Sequence, residues 1–324
     1  MRVVAAHRAS AILFDLARDH RDARPWLLPA NACPVLALAL LAAGRDIRLA
    51  DLDPADHALD RDRAVSLAAA HQLGAVVFVR PFGRLSAEHA FFEALRAADP
   101  ACLRVDDRCL CDPVFEDVSE SASVTVVSTG YGKPIDLGGG ALALLDPDTR
   151  FEASASPVFS VEALRDVENL WRAAAAAGTT MPPPGETWLD RRSPVRSVVE
   201  LQRRIEDRLV EARRHRALLT GIYRREVPEE AQLPPDCHTW RFQLTVDDAA
   251  SLVEQIFGAG LFASRHHAVI APQLGIDGRF PVAEALARRI VNLFNDAHYT
   301  AGMAERTGAI VRRHLESKPA GGPS

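Results

Sequence analysis

The chain has 324 residues, 48% hydrophobic and 25% charged, which suits a soluble globular protein with a sizeable core and leaves room for two domains. A formal net charge of -5 gives no cationic excess for a nucleic-acid backbone or an acidic membrane surface, so neither partner is expected. Five cysteines without a regular framework and an N-terminus lacking a signal-peptide layout point to a reducing cytoplasm, and the most apolar run, residues 34–43, is half of the ~20 residues that span a bilayer.

In chain order, apolar runs predict strands at 26–29, 46–50, 75–79, 102–105, 124–127 and 141–145, and amphipathic patterns predict helices at 9–18, 35–43, 63–73 and 88–98. The run Ala75-Val-Val-Phe-Val79 is continuous rather than alternating, as expected for a strand covered on both faces. This is the pattern of an α/β, mostly parallel, doubly wound sheet. In such sheets ligands collect beyond the carboxyl ends of the strands, which directs attention to Asn31, Asp51 to Asp53, Arg80, Asp106, Asp107 and the stretch from Ser128 to Lys133.

A helix over 161–177 leads into the break Met181-Pro-Pro-Pro-Gly185. Beyond it, Val198, Leu201, Ile205, Leu209, Ala212, Leu219 and Ile222 recur at helical spacing, with Arg213 to Arg216 read as a solvated outer face. A strand at 238–244 and helices at 249–257, 281–293 and 301–315 complete a smaller α+β domain. The expected division is a large domain over 1–180, a small C-terminal domain over 195–316 and a disordered tail over 317–324.

Lys133 lies between one strand and the next, in a polar loop where lost solvation would free an amine for imine formation, although a solvated loop lysine fits the spacing equally well. Gly138 to Gly140 precede a strand rather than a helix, so close backbone packing is the better reading than a dinucleotide cradle. Asp106 or Asp107 could pair with a protonated heterocycle or with Arg104 or Arg108. No second Cys or His pair stands at ligand spacing from Cys109 and Cys111, so no metal centre is expected. His266 and His267 are candidate site contacts near a domain boundary.

In order, these segments resemble the DegT/DnrJ family of pyridoxal-phosphate-dependent sugar aminotransferases. The resemblance spans Pro29 to Asp53, Ala75 to Gly83, Val105 to Asp107 and Phe280 to Glu284, and is most specific at Ser128 to Ala141, the counterpart of the family's Schiff-base lysine segment. It implies the aspartate-aminotransferase fold, fold type I, and a homodimer. It also implies roles: Lys133 as the catalytic, cofactor-bearing lysine and proton shuttle, Asp107 on the pyridine nitrogen, and Ser128 on the cofactor phosphate. The amino group would pass from an amino acid donor, usually glutamate in the family, to a keto sugar.

The chain also departs from the family. It starts about fifty residues later, so the phosphate-binding helix begins at His7 to Ile12, where Arg8 or Ser10 would assist a backbone cup. Cys33 stands where the family has a ring-stacking aromatic, and Leu110 where it has Gln or His. Residues 185–192, including Asp190, loosely match a segment contributed by the partner subunit. Lys133, Asp107 and Ser128 favour an active transferase; the changes at His7 to Ala9, Cys33 and Leu110 favour a non-catalytic binding or partner protein.

Overall fold

The computed structural model describes residues 1–86, 88–153, 159–191 and 197–317. The expected tail lies outside these residues from 318 onward.

Ten strands and ten helices follow in order among the described residues: β1 Arg2–Ala6, α1 Ala9–Asp19, β2 Trp26–Pro29, α2 Pro34–Ala42, β3 Ile47–Ala50, α3 Arg61–Ala69, β4 Ala75–Val79, α4 His89–Ala98, β5 Leu103–Asp107, β6 Val124–Ser128, β7 Ala141–Leu145, α5 Val161–Ala177, α6 Val198–Glu226, β8 Phe242–Thr245, α7 Ala249–Gly258, β9 Ala263–Ser264, α8 Ala271–Leu274, α9 Pro281–Arg289, β10 Ile290–Leu293 and α10 Ala301–Glu316. Seven strands form one sheet in the order β1-β7-β6-β5-β4-β2-β3. The pairs among β3, β2, β4, β5 and β6 are parallel, and β7 runs antiparallel to both β6 and β1. The mostly parallel sheet is as expected. Its interior strands are buried on both faces: Ile12, Leu16, Leu28, Val77 and Val126 pack in one core, and Leu27, Val76, Phe78, Phe92 and Leu95 in the other.

The second sheet, β8-β10-β9, is antiparallel and packs with α6, α7 and α10 around Leu219, Tyr223, Phe242, Leu252, Val291 and Val311. A further cluster, including Ala30, Phe82, Leu233, Phe280 and Leu286, joins the two sheets' surroundings. Asp51, just past β3, accepts from the backbone N–H groups of Val282 and Ala283 at 3.0 and 2.9 Å and so anchors the N-terminus of α9.

Three expectations need correction. Residues 281–293 are not one helix: α9 ends at Arg289, Ile290 is extended, and β10 pairs with β8 and β9, so sheet pairing overrides the helical pattern at Ile290-Val-Asn-Leu. The strand expected at 238–244 begins only at Phe242 because Pro235 to His238 form a tight helical turn. Only part of the expected solvated face at Arg213 to Arg216 is present: Arg213 and Arg214 are exposed, but Arg216 is buried, 2.6 Å from Asp112, which Arg213 also reaches at 2.7 Å. Strand β1 had no predicted counterpart; it is a short edge strand in which an exposed Arg2 precedes four half-buried small residues.

Candidate active site

A cavity of about 1650 Å³ opens beyond the carboxyl ends of β2, β4 and β5, roofed by residues around the second sheet. Asp107 and Lys133 line it, with Asn31 and Cys33 on one side and His266, His267, Trp240 and Arg241 on the other.

The carboxylates of Asp106 and Asp107 are separated by strand alternation, since successive side chains on β5 leave opposite faces. Asp106 is fully buried against two arginines, Arg80 at 2.7 Å and Arg108 at 2.8 Å. It is the structural ion pair. Asp107 has no arginine partner; it accepts from the Cys109 backbone N–H at 2.9 Å. Burial pushes its carboxyl pKa up, against the lowering influence of the Cys109 hydrogen bonds and of Lys133.

Lys133 is half-buried, and among the described residues its ammonium makes no hydrogen bond or ion pair. Its backbone is fixed by a turn in which its N–H donates to Gly130 O at 3.2 Å. The close-packing reading holds for two of the three glycines: a Cβ on Gly139 would come within 2.6 Å of the His7 ring and one on Gly140 within 2.5 Å of Thr129 Oγ1, whereas Gly138 has open space around it and a positive φ of 77°.

The start of α1 lies beside this loop. A Cβ on Gly130 would sit 3.2 Å from Arg8 Nη1 and 3.6 Å from Ser128 Oγ, so the three residues share one corner. Ser128 is buried, whereas Arg8 and Ser10 are half-exposed, and none of the three lines the main cavity. Arg8 precedes α1 without capping it through its side chain, and no acidic residue occupies the first turn. The helix start therefore keeps its positive character. Asp190 is engaged nearby by His7 at 3.2 Å. Cys33 is exposed at the start of α2, and Leu110 also borders the cavity.

Opposite Lys133, burial drives His267 down to about 3, and His266, an exposed side chain on the same wall, is lowered as well by partial desolvation and by the charges of Arg241 and Lys133. Both are neutral at neutral pH. His57, Phe82 and His267 all have positive φ, at 59°, 56° and 73°, and meet in one cluster, with the Phe82 ring 6.1 Å from His57 and 5.0 Å from His267. Non-glycine residues in this conformation persist where the surroundings force it, a recurrent feature of functional sites. His57, Trp240 and Arg241 belong to no recognisable sequence motif. The usable signal in the sequence is composition: only Lys133 and Lys318 are lysines among 38 basic residues.

No family model matches the chain, and no curated protein matches it in sequence. Solved structures do match. DesI, determined in the presence of its TDP-sugar product, is 18% identical with a TM-score of 0.72, covering 98% of this chain and 81% of that one. DesV from S. venezuelae, in complex with a ketimine intermediate, is 17% identical with a TM-score of 0.67 over 98% and 85%. A DegT/DnrJ/EryC1/StrS aminotransferase from Brucella abortus is 16% identical with a TM-score of 0.66 over 98% and 87%. The chain has the fold of these aminotransferases. The fold expected from the sequence is therefore present over nearly the whole chain, including the seven-stranded sheet. All five cysteines are free, and among the described residues no helix is long and apolar enough to cross a membrane.

Proposed function

We propose that this protein is a pyridoxal-phosphate-dependent aminotransferase that delivers an amino group to a keto sugar carried on a nucleotide, with Lys133 bearing the cofactor. One observation carries the reading: an unpaired lysine amine and a buried carboxylate without its own cation share one cavity, in a chain that otherwise uses arginine almost exclusively. Arginine could supply charge, but only lysine can lose a proton and form an imine.

The residues present fit the cofactor. Asp107, raised by burial, is suited to a protonated pyridine nitrogen, and the open start of α1 with Arg8, Ser10 and Ser128 is suited to a phosphate. When bound, the cofactor supplies the electron sink that allows nitrogen exchange between donor and acceptor. Lys133 Nζ then holds or moves the proton at the reacting carbon. His266 and His267, both neutral, line the opposite wall as hydrogen-bonding groups for a sugar. Arg204, Arg208, Arg214 and Arg265 border the cavity and suit a nucleotide diphosphate, and a free amino acid serves as donor.

The same reading divides the chain into a cofactor domain over 1–180 and a small domain over 195–316, and makes it a cytoplasmic homodimer. Tyr131, 83% exposed beside Lys133, and Leu218, 56% exposed on α6, border the cavity as apolar surface for a second copy. Cys33 and Leu110 at the cavity wall favour a second reading, a sugar-binding protein on this scaffold without turnover.

The test is direct. Purified protein mixed with pyridoxal phosphate should gain the absorbance of lysine-bound cofactor, borohydride should bleach it and fix the label on Lys133, and Lys133→Ala should abolish both. Protein that stays colourless with added cofactor overturns the proposal. Cofactor bound at Lys133 without amino-acid-dependent turnover selects the second reading.

A further inference from the structure

With no hydrogen-bond or ion-pair partner for its side chain among the described residues, Lys133 takes its position from its backbone, and the carbonyls of the residues before and after it are both held by side chains beyond residue 195. Gly132 O accepts from Trp240 Nε1 at 2.8 Å. Pro134 O accepts from Arg216 Nη1 at 3.3 Å. Trp240 and Arg216 are both buried. Between Gly130 and Gly138 the loop's other backbone N–H bonds among the described residues stay within it or reach its base: Gly130 N to Ser128 Oγ, Gly132 N to Asp136 Oδ2, Lys133 N to Gly130 O, Leu137 N to Thr129 O and Gly138 N to Asp136 Oδ1.

Each of the two donors has a second attachment inside the site. Arg216 Nη2 donates to Asp112 Oδ1 at 2.6 Å, and Arg213 Nε to the other oxygen at 2.7 Å. Asp112 stands in the loop that leaves β5 after Asp107, so one guanidinium joins the lysine loop to the carboxylate's loop. The Trp240 backbone N–H donates to Phe82 O at 3.3 Å, and its ring lies 5.0 Å from His266 and 6.0 Å from His267. The indole thus joins the lysine loop to the opposite wall.

We propose that Trp240 and Arg216 are positioning residues that clamp the carbonyls of Gly132 and Pro134, the residues before and after Lys133, and set its amine between Asp107 and the histidine wall. The amine's catalytic meaning rests on the function proposed above; the clamp does not. Because both donors lie beyond residue 195, a shift of the C-terminal part against the seven-stranded sheet moves the lysine with it. The indole N–H is specific in this role, since Phe keeps the packing and loses the donor. For Arg216, a lysine keeps a charge beside Asp112, but its single ammonium cannot reproduce the planar fork that reaches both oxygens.

The chain's two lysines make a clean measurement available. Trp240→Phe and Arg216→Lys proteins are labelled with an amine-acylating reagent, and peptide mass spectrometry gives the rate at Lys133 relative to Lys318, alongside melting curves and amide exchange in residues 130–137. The expected result is a change in the Lys133 to Lys318 ratio of about three- to tenfold in each variant, the effect of one net hydrogen bond, with faster exchange in the loop and a cooperative melt retained. Ratios and exchange equal to wild type in both variants overturn the clamp. Pyridoxal phosphate trapped with borohydride on the wild type separates the two claims. No adduct together with a changed ratio removes the proposed function and leaves the clamp standing, whereas an adduct together with an unchanged ratio does the reverse.

Discussion

Asp106 and Asp107 are neighbours on β5 with opposite surroundings, Asp106 locked between Arg80 and Arg108 and Asp107 facing the cavity that holds Lys133. Their asparagine variants should therefore separate stability from site chemistry. Asp106→Asn leaves two buried guanidinium groups without their carboxylate and should cost about 3–5 kcal/mol. Asp107→Asn removes a carboxylate that burial already disfavours, so the melting temperature should hold or rise while the absorbance of lysine-bound pyridoxal phosphate weakens or disappears. Equal destabilisation of the two variants in denaturant titrations would contradict this division.

Arg8 should act on the cofactor's phosphate and not on its ring. Losing one charge-assisted hydrogen bond costs about 1.5–3 kcal/mol, so Arg8→Ala should weaken pyridoxal phosphate binding by roughly tenfold or more. Pyridoxal, which lacks the phosphate, should bind wild type and variant alike. A parallel loss for both compounds, measured by fluorescence titration, would remove Arg8 from the phosphate site.

The large sheet was legible because its strands are continuous apolar runs, and β2, β4 and β7 begin and end where those runs do. Strand β10 was not legible, because Ile290-Val-Asn-Leu follows a helix without a turn residue and becomes a strand only through pairing with distant β8 and β9. At the site, local pattern left Lys133 open against a solvated lysine and Asp107 open against an ion pair, and only the family resemblance singled them out. The assignment of Asp106 to the ion pair follows from strand alternation, but the contacts of Arg216 and Trp240 span about a hundred residues and leave no local trace. Arg216 even reads as surface, because the exposed Arg213 and Arg214 beside it hide one that turns inward.

Gly140 carries a conformational demand that alanine cannot meet. Its φ of +112° is unfavourable for any side chain, and a Cβ would overlap Thr129 Oγ1, which itself donates to Gly139 O at 2.9 Å. Gly140→Ala should destabilise the protein by about 1–3 kcal/mol and shift the loop carrying Lys133. A denaturation midpoint equal to wild type would show that the loop absorbs the methyl group.

The buried histidines make stability depend on acid in a predictable direction. Burial lowers His267 from 6.5 to about 3 and His238 to about 4, so below 6.5 the unfolded chain binds protons that the folded chain refuses. Their contribution is complete above pH 6.5 and falls away as pH drops toward the folded values. Asp107 works in the opposite sense, because its raised pKa lets the folded protein take a proton first, but a single carboxyl does not offset two histidines over this window. His267→Asn isolates one contribution, since asparagine tolerates the positive φ that His267 adopts. The variant's melting temperature should decline less steeply than wild type between pH 6.5 and 4.5, and identical slopes would mean that His267 takes up its proton in the folded protein as readily as in the unfolded chain.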